Sequence, residues 1–395
     1  MSFPSQSPYS SLQESPRPAG SGVAVTIALI ALFMFLGVVA FFLWSSYGTT
    51  GLTLTTLLAL VPLVICLVGL RWVDRWDPEP RVFVTIALLW GAGVSVIMAL
   101  VFGGVFQAAF GGLSPFEDPE LFGAIVQAPI IEEISKGLGL LLIFMLGKSH
   151  FDGTVDGVVY GGLVGAGFAF TENILYFMSS FEDHDASLMQ IFILRGLFSP
   201  FAHVLFTAWT GFMLGLAVQR GKRAHWLWYF LAGLIPAMIA HFFWNGGLSL
   251  FFSDFLSFYF LFQVPLFILT IVGVWYMRRV ERKLLATRLA DYAQAGWLSG
   301  EEVEMFTTPQ GRRRARLWAA AAGAGGIMKD FTSTATRLGA LRHRIVRGHA
   351  LPQDASEEQR MLSLLVRQRQ QLFAQVQAHR SFGTGWLVKK WNIRR

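Results

Sequence analysis

The chain has 395 residues, of which 54% are hydrophobic and only 14% are charged. Soluble domains carry roughly a quarter charged residues, so the composition argues against a soluble enzyme and favours a membrane protein. The single cysteine excludes an intrachain disulfide and a cysteine-based metal site. Charge is unevenly distributed, because 22 of the 32 Lys and Arg but nine of the 25 Asp and Glu lie from Arg278 onward. That segment is about +13 and the part before it about −6, which predicts an apolar membrane body followed by a basic tail.

Apolar runs of about twenty or more residues, each able to cross a bilayer core of roughly 30 Å, predict eight transmembrane helices. They are Gly22–Trp44, Leu52–Leu70, Val82–Phe110, Leu121–Leu146, Gly153–Met178, Gly196–Val218, Leu227–Phe251 and Phe255–Met277. The polar, Pro- and Ser-rich residues before the first run predict a disordered segment (1–21) and no cleavable signal peptide. The expected fold is therefore all-α: a polytopic membrane helix bundle over residues 22–277, with a basic helical cytoplasmic tail over residues 278–395.

The loop charges predict the orientation of this bundle. Lys and Arg occur in the second, fourth and sixth loops and at the start of the tail, whereas acids predominate in the third and fifth loops. Because basic residues mark the cytoplasmic side, both termini should be cytoplasmic. In the tail, a helix start is expected at Ser299, and the Arg312–Arg314 cluster favours contact with anionic lipids over nucleic-acid binding.

The fifth predicted span carries glycines at four-residue spacing, Gly153, Gly157, Gly161 and Gly165. Small residues at this interval allow two helix backbones to approach closely. The pattern therefore predicts a packing face and places this helix inside the bundle.

Several polar side chains lie within the predicted spans. Charged groups deep in a bilayer cost roughly 2.5 to 3.5 kcal/mol each, so they are functional candidates. Lys136 shares a helix face with Glu132 and Glu133 and can neutralise one of them, whereas a purely structural ion pair leaves the other unexplained. Further polar residues on the fifth, sixth and seventh spans are Glu172, Asn173, His203, His241 and Asn245. Counted at 1.5 Å per residue, the glutamates and histidines fall in the outer half of the membrane. Asp156 falls near the opposite face and is expected to be a helix-end or packing residue.

Glutamate and histidine together can activate water, because the carboxylate takes its proton while imidazole orients it or binds a metal. A histidine with an amide one helical turn away could stabilise an oxyanion. Peptide-bond hydrolysis inside the bilayer fits these groups, and zinc bound by His203, His241 and Glu133 fits as well. No His-Glu-x-x-His, Gly-x-Ser-x-Gly or Gly-x-Gly-Asp occurs on any predicted span, so serine and aspartyl mechanisms are poorly supported.

Six short strings occur in a fixed order over about residues 71 to 250. They are DRWDPEPR (74–81), EEISK (132–136), DGVVYG (156–161), FTEN (170–173), PFAH (200–203) and HFFWN (241–245). In these strings the chain resembles the PrsW family of intramembrane proteases and, more distantly, the CAAX-processing and bacteriocin-processing membrane proteases.

The resemblance implies that Glu132, Glu133, His203 and His241 carry catalysis, with Asn245 assisting. By analogy with the CAAX-type enzymes, Glu132 would be the base, His203 would orient water, and His241 with Asn245 would be oxyanion donors, without an obligatory metal. Lys136, Glu172 and Asn173 would support them. The implied substrate is a membrane-anchored protein of the bacterial plasma membrane, such as an anti-sigma factor, cut on the extracytoplasmic side. A metalloprotease and a glutamate protease would use the same residues.

Two other classes of protein compete with a protease. A proton-coupled transporter could use intramembrane Glu and His as a relay, but such proteins often show internal repeats, and the polar motifs here each occur once. A non-catalytic scaffold acting through its tail would leave the buried glutamates unexplained.

Overall fold

The computed structural model describes residues 20–76, 78–147, 150–182, 188–348, 350 and 354–392, without the side chains of residues 20–24, 182 and 380–392. Within these ranges the secondary structure is helical, with no strand. Among the described residues, six helical stretches are long and apolar enough to cross a membrane. The prediction of an all-α polytopic membrane bundle is confirmed. A disordered segment was predicted over residues 1–21. Residues 1–19 lie outside the described residues, and the first helix begins at Gly20.

The chain divides into two compact units, Ala19–Met277 and a second that contains Arg278–Arg395. The described helices that begin in the first unit are α1 (Gly20–Val73), α2 (Arg81–Leu89), α3 (Val96–Phe110), α4 (Pro119–Phe122), α5 (Ala128–Leu146), α6 (Thr154–Glu182), α7 (Leu188–Ile191), α8 (Ala202–Gln219), α9 (Trp226–Leu250), α10 (Phe255–Phe258) and α11 (Val264–Gln294). In the described part of this unit, four π-helical segments interrupt or join these helices: Trp90–Ser95, Gly123–Gln127, Phe192–Phe198 and Tyr259–Gln263.

Two of the predicted spans fall within α1, which is 54 residues long and is interrupted at Gly48, where φ is 72° and ψ is 178°. This positive φ favours glycine, which has no Cβ to clash. Leu32 and Cys66, on opposite sides of Gly48, belong to the same hydrophobic core. A straight helix would separate them by about 51 Å, so the break at Gly48 accounts for their placement in one core.

The fourth predicted span corresponds to α4, the Gly123–Gln127 segment and α5. This stretch is not among the six apolar spans, and it contains Glu132, Glu133 and Lys136 within five positions. The number of eight spans and the cytoplasmic location of both termini stay predictions.

The glycine stripe of α6 packs directly against the backbone of α8. A Cβ added at Gly157 would lie 2.0 Å from Gly211 O, and one added at Gly161 would lie 2.6 Å from Thr207 O. At Gly165 the nearest atom would be His203 O, at 2.3 Å. Because these glycines have no side chain, the backbones of α6 and α8 can approach this closely.

The second unit is a helical bundle with its own core. Its remaining helices are α12 (Gly300–Thr307), α13 (Pro309–Ala321), α14 (Gly325–Val346) and α15 (Asp354–Asn392). Ser299 caps α12, since its side chain accepts from Glu302 N while the Glu302 side chain accepts from Ser299 N. The predicted helix start at Ser299 is confirmed. Phe306 and Phe331, whose ring centroids are 5.0 Å apart, lie in the core of this unit.

We predict that Gly157→Ala destabilises the protein by roughly 1 to 3 kcal/mol, because the added methyl group would have to push α8 away from α6. The matched control is Gly104→Ala in α3, where an added Cβ meets nothing within 4 Å. This control should be neutral or slightly stabilising, since alanine favours a helix over glycine. Thermal unfolding in detergent measures both, and equal unfolding midpoints for the two variants would contradict the packing argument.

Candidate functional site

The site is organised around one turn of α5. The Lys136 side chain is fully buried, and its Nζ lies 2.5 Å from Glu133 Oε1 and 3.6 Å from Glu132 Oε2. On the other side of this turn, Trp90 Nε1 and Ser95 Oγ both donate to Ser135 O, at 3.0 and 3.3 Å. The Trp90–Ser95 segment therefore holds the α5 backbone next to Lys136.

Glu133 is held by groups from two other helices. His241 Nδ1, on α9, donates to Glu133 Oε1 at 3.0 Å, and Thr207 Oγ1, on α8, donates to Glu133 Oε2 at 3.2 Å. The His241 ring stacks on Phe206, with centroids 4.7 Å apart and planes 18° apart. With Lys136 also bound to Oε1, both oxygens of Glu133 are occupied.

His203, near the start of α8, lies between Lys136 and α6. Lys136 Nζ donates to His203 Nδ1 at 3.1 Å, and His203 Nε2 donates to Glu172 Oε2 at 2.7 Å. Arg195, in the Phe192–Phe198 segment, donates to the same oxygen of Glu172. Its Nε also donates to Asn173 Oδ1 at 3.0 Å.

Glu132 is the glutamate that faces both histidines. Its Oε2 lies 4.0 Å from His203 Nδ1 and 3.9 Å from His241 Nε2. One ligand atom from each of these three residues lies within 4.8 Å of the others, an arrangement that could hold a metal ion. Glu132 Oε2 is buried and has no hydrogen-bond partner among the described residues, so it retains its capacity to bind a metal or a water. A carboxylate with two imidazoles is a common zinc donor set, and the residues present therefore fit the metal. The predicted ligand set named Glu133, whereas the converging atoms include Glu132 instead.

The hydrogen bonds fix which nitrogen of each ring carries the hydrogen. A carboxylate accepts, so the neutral His241 ring has its hydrogen on Nδ1, facing Glu133, and the neutral His203 ring has it on Nε2, facing Glu172. The nitrogens that face Glu132, His241 Nε2 and His203 Nδ1, therefore carry lone pairs. The lone pair of His241 Nε2 is directed at the centre, as in a metal ligand whose other nitrogen is held by a carboxylate, whereas the lone pair of His203 Nδ1 accepts from Lys136.

Asn245 lies one helical turn beyond His241, but its Nδ2 donates to Ala124 O at 2.8 Å. It therefore ties α9 to the Gly123–Gln127 segment rather than to the glutamates. Asp156 lies near the start of α6, where its Oδ2 accepts from the backbone N–H groups of Asp152 and Gly153, both at 2.9 Å. This placement matches the helix-end role expected for Asp156.

Two members of the cluster were not predicted from the sequence. Arg195 is the one charged residue of the apolar run 191–198, and this isolation was a signal for a buried carboxylate partner. Thr207 gave no signal, because a threonine in a transmembrane helix usually bonds its own backbone. Of the residues that were predicted for the site, the structure brings all together except Asn245.

Comparison with known proteins adds independent information. A family profile described as "PrsW family intramembrane metalloprotease" matches residues 79–270, a range that contains the whole Glu/His cluster. A protein named "Protease PrsW" from Clostridioides difficile is 31% identical over 187 residues, which cover 46% of this chain and 74% of the relative. The chain belongs to the PrsW family. The membership predicted from the six strings is thereby confirmed, and the comparisons support intramembrane protease activity.

Other relatives share the same name. "Protease PrsW" of Geobacillus kaustophilus is 32% identical over 39% of this chain and 63% of the relative. "Protease PrsW" of Bacillus subtilis is 31% identical over 30% of this chain and 50% of the relative. No solved structure gives a significant match.

We predict that Lys136→Met destabilises this PrsW-family protein by about 3 to 5 kcal/mol, because it leaves buried carboxylates without their cation. Adding Glu133→Gln to this variant should recover part of the loss, since the charge left unpaired is then removed. Lys222→Met, at an exposed lysine, is the control and should have little effect. Thermal unfolding in detergent is the measurement; a double variant less stable than Lys136→Met would argue against charge pairing as the stabilising interaction.

Proposed function

We propose that this protein hydrolyses a peptide bond of a membrane-anchored protein with water activated in the Glu132, His203 and His241 cluster. The observation that carries the proposal is the convergence of ligand atoms from these three residues, on three separate helices, within 4.8 Å. Such a cluster is costly inside a membrane. Peptide hydrolysis gives it a function that agrees with the family.

In this proposal Glu132 is the general base. Its unpartnered Oε2 takes a proton from the attacking water, whose oxygen forms a bond to the carbonyl carbon. The proton then passes to the leaving amine nitrogen as the C–N bond breaks. The lone pairs of His203 and His241 orient the water. Glu133 is assigned a supporting role, because its two oxygens already accept from Lys136, His241 and Thr207.

The oxyanion role predicted for His241 and Asn245 fits the structure less well. His241 presents a lone pair to the centre rather than a hydrogen, and the Asn245 amide donates to Ala124 O. The role would require protonation of His241 and a second hydrogen bond from Asn245. Lys136 lies beside the centre and offsets negative charge there without direct contact with the substrate, since its side chain is fully buried.

Glu132, His203 and His241 are the residues that would hold a divalent metal such as zinc, which when bound acts as a Lewis acid on the scissile carbonyl and on water. In this version Glu132 is a metal ligand and not the general base, and the His203 Nδ1 lone pair must be released from Lys136, which donates to it at 3.1 Å. The lone pair of His241 Nε2 and the Glu132 oxygen that accepts no hydrogen bond among the described residues support the assignment. Glu133 and Glu172 would then act on the far nitrogens of the two ligating rings, where carboxylates fix the tautomer and orientation of metal-bound histidine.

We further propose that the substrate is a single-span regulator, such as an anti-sigma factor, cut on the extracytoplasmic side of the bacterial plasma membrane. The support is the depth of the cluster. With both termini cytoplasmic, as the loop charges predict, the glutamates and histidines lie in the outer half of the bilayer. The comparisons do not favour the alternative of a proton-coupled transporter.

The basic tail is proposed to contact anionic lipids through α13. Arg312, the first residue of the predicted cluster, is buried and is not part of this surface. Arg313, Arg314 and Arg316 are exposed on the helix beside Leu317 and Trp318, which are 63% and 38% exposed. Arginines next to exposed apolar side chains are typical of helices that bind anionic membrane surfaces.

Hydrogen exchange of α13 in nanodiscs tests the lipid contact. Anionic lipid should slow exchange in the wild type, because bound lipid protects the helix. The effect should disappear when the three exposed arginines of α13 are changed to Gln and persist when Arg337, Arg347 and Arg367, exposed on other parts of the unit, are changed instead. Equal loss in both triple variants would indicate a diffuse charge effect and no specific surface.

We predict that Glu132→Gln and His203→Gln each lower cleavage of a membrane-anchored reporter by roughly 100-fold or more, because each removes a group that acts on water. Glu120→Gln and His225→Gln, at exposed positions outside the cluster, are matched controls and should cleave normally. Expression and unfolding midpoints should stay close to the wild type. Normal cleavage by either cluster variant would exclude the proposed mechanism.

We also predict that the purified protein contains zinc or a similar divalent metal, and that Glu132→Gln and His241→Gln reduce its content. Elemental analysis measures the metal directly, and chelation should abolish cleavage until metal is restored. Glu120→Gln again serves as the control and should keep its metal. Full cleavage by chelated, metal-free protein would favour the glutamate mechanism without a metal.

A further inference from the structure

Arg195 is a cation of the cluster to which the proposed hydrolytic mechanism gives no role. Its guanidinium makes three contacts with α6: with Glu172 Oε2, with Asn173 Oδ1 at 3.0 Å, and with the Tyr176 ring, whose centroid lies 3.8 Å from Arg195 Cζ. The planar guanidinium suits this combination, since it can donate along two directions and stack on an aromatic face. Arg195 is therefore fixed on α6 by three different interactions.

The oxygen of Glu172 that Arg195 binds is the same one that accepts from His203 Nε2, at 2.7 Å. The orientation of the Glu172 carboxylate therefore links Arg195 to His203. Asn173 and Tyr176 hold the guanidinium independently of Glu172, so Arg195 can fix the position of the Glu172 carboxylate.

The orientation of His203 depends on this link. While Nε2–H is bound to Glu172, Nδ1 faces Lys136 at 3.1 Å and Glu132 at 4.0 Å with its lone pair. If Glu172 rotated away, Lys136 would still require a lone pair on Nδ1, because an ammonium can only donate. The ring would nevertheless lose the hydrogen bond that fixes its angle, and it could turn so that Nδ1 no longer faces Glu132.

We propose that Arg195 is a positioning residue, which holds Glu172 so that the His203 ring keeps its Nε2–H bonded to Glu172 and its Nδ1 directed towards Lys136 and Glu132. The expected effect of Arg195 on catalysis rests on the proposed function. Its expected effect on the orientation of the His203 ring does not. Arg195 makes no contact with the reacting atoms and acts through Glu172.

Arg223 provides a matched control for a purely structural role. Arg223 lies just after α8, whereas Arg195 lies just before it. The Arg223 guanidinium donates to Phe151 O at 3.2 Å and to Phe144 O, and its Cζ lies 4.0 Å from the Phe144 ring centroid. Both arginines thus anchor one end of α8 by hydrogen bonds and ring stacking. Only Arg195 is bonded to a carboxylate that binds a histidine of the site.

The first readout is kinetic. Arg195→Gln should lower kcat for the reporter by about tenfold or more, as loss of outer-shell partners does, with little change in KM. Arg195→Lys should recover part of the activity, because it keeps the charge. In a Glu172→Gln background, Arg195→Gln should add less than about a twofold loss, since residues that act as one unit are not additive. Arg223→Gln should lower the unfolding midpoint without this change in kcat.

The second readout does not require activity. The ¹⁵N spectrum of labelled histidine, with the His203 signals assigned by their loss in His203→Gln, should show Nε2–H in the wild type and in Arg223→Gln. In Arg195→Gln the His203 Nε2–H signal should shift and broaden, because its hydrogen bond to Glu172 is no longer held in place. If Arg195→Gln does not fold, Arg195→Lys takes its place in both readouts and should show an intermediate effect.

An unchanged His203 spectrum in the Arg195 variant would overturn the proposal. So would a kcat loss of equal size in the wild-type and Glu172→Gln backgrounds. If wild-type protein fails to cleave any membrane-anchored reporter, the proposed function fails, while the ¹⁵N spectra still decide whether Arg195 positions the His203 ring.

Discussion

The ion pair between the fully buried Lys136 and Glu133 is the interaction on which the rest of the site depends. An ammonium without access to water is stable only when carboxylates and further hydrogen bonds surround it, and α5 supplies both glutamates on the same face. The cluster contains three carboxylates, from Glu132, Glu133 and Glu172, but two permanent cations, from Lys136 and Arg195. One negative charge is therefore left over. We assign it to Glu132, whose buried Oε2 accepts no hydrogen bond among the described residues and lies farther from Lys136 than Glu133 Oε1 does. A proton at this position would balance the charge, whereas a divalent metal would leave one positive charge for a further anion. The same geometry is therefore compatible with both versions of the hydrolytic mechanism.

Close approach of α6 and α8 brings the second half of the site to this ion pair. The α8 residues whose carbonyls lie against Gly161 and Gly165 are Thr207 and His203, and these two residues also direct their side chains at Glu133 and Glu172. The glycines thus set the position of α8 at the level of the site itself. A helix pair held apart by ordinary side chains would leave the His203 imidazole short of the carboxylate that orients it.

The sequence predicted the fold class, the family and most members of the cluster because each rests on a local signal: long apolar runs, loop charges, and charged residues where a bilayer disfavours them. It did not identify which of Glu132 and Glu133 would be the metal ligand. Adjacent residues on a helix differ by about 100° in direction, and the positions of the neighbouring helices decide which of the two lies near both histidines. The pairing of Arg195 with Glu172 joins segments 23 residues apart, and the ring tautomers depend on contacts across helices. The predicted oxyanion pair of His241 and Asn245 followed from their shared helix face, whereas Ala124 O, supplied by another segment, engages the Asn245 amide.

The π-helical winding at Trp90–Ser95 has a consequence for how this chain tolerates insertions and deletions. Trp90 and Ser95 both donate to Ser135 O, yet residues five apart in an α-helix point about 140° away from each other. In a π-helix the i→i+5 bond places them one above the other, so the extra residue in this turn allows two donors to reach a single carbonyl. Because the wide turn already absorbs one extra residue, deleting a residue here would restore regular α-helical winding and leave α2 and α3 in nearly their present register. A single-residue deletion in this turn should therefore be tolerated better than one within α2 or α3, where it would rotate the residues that follow by about 100°.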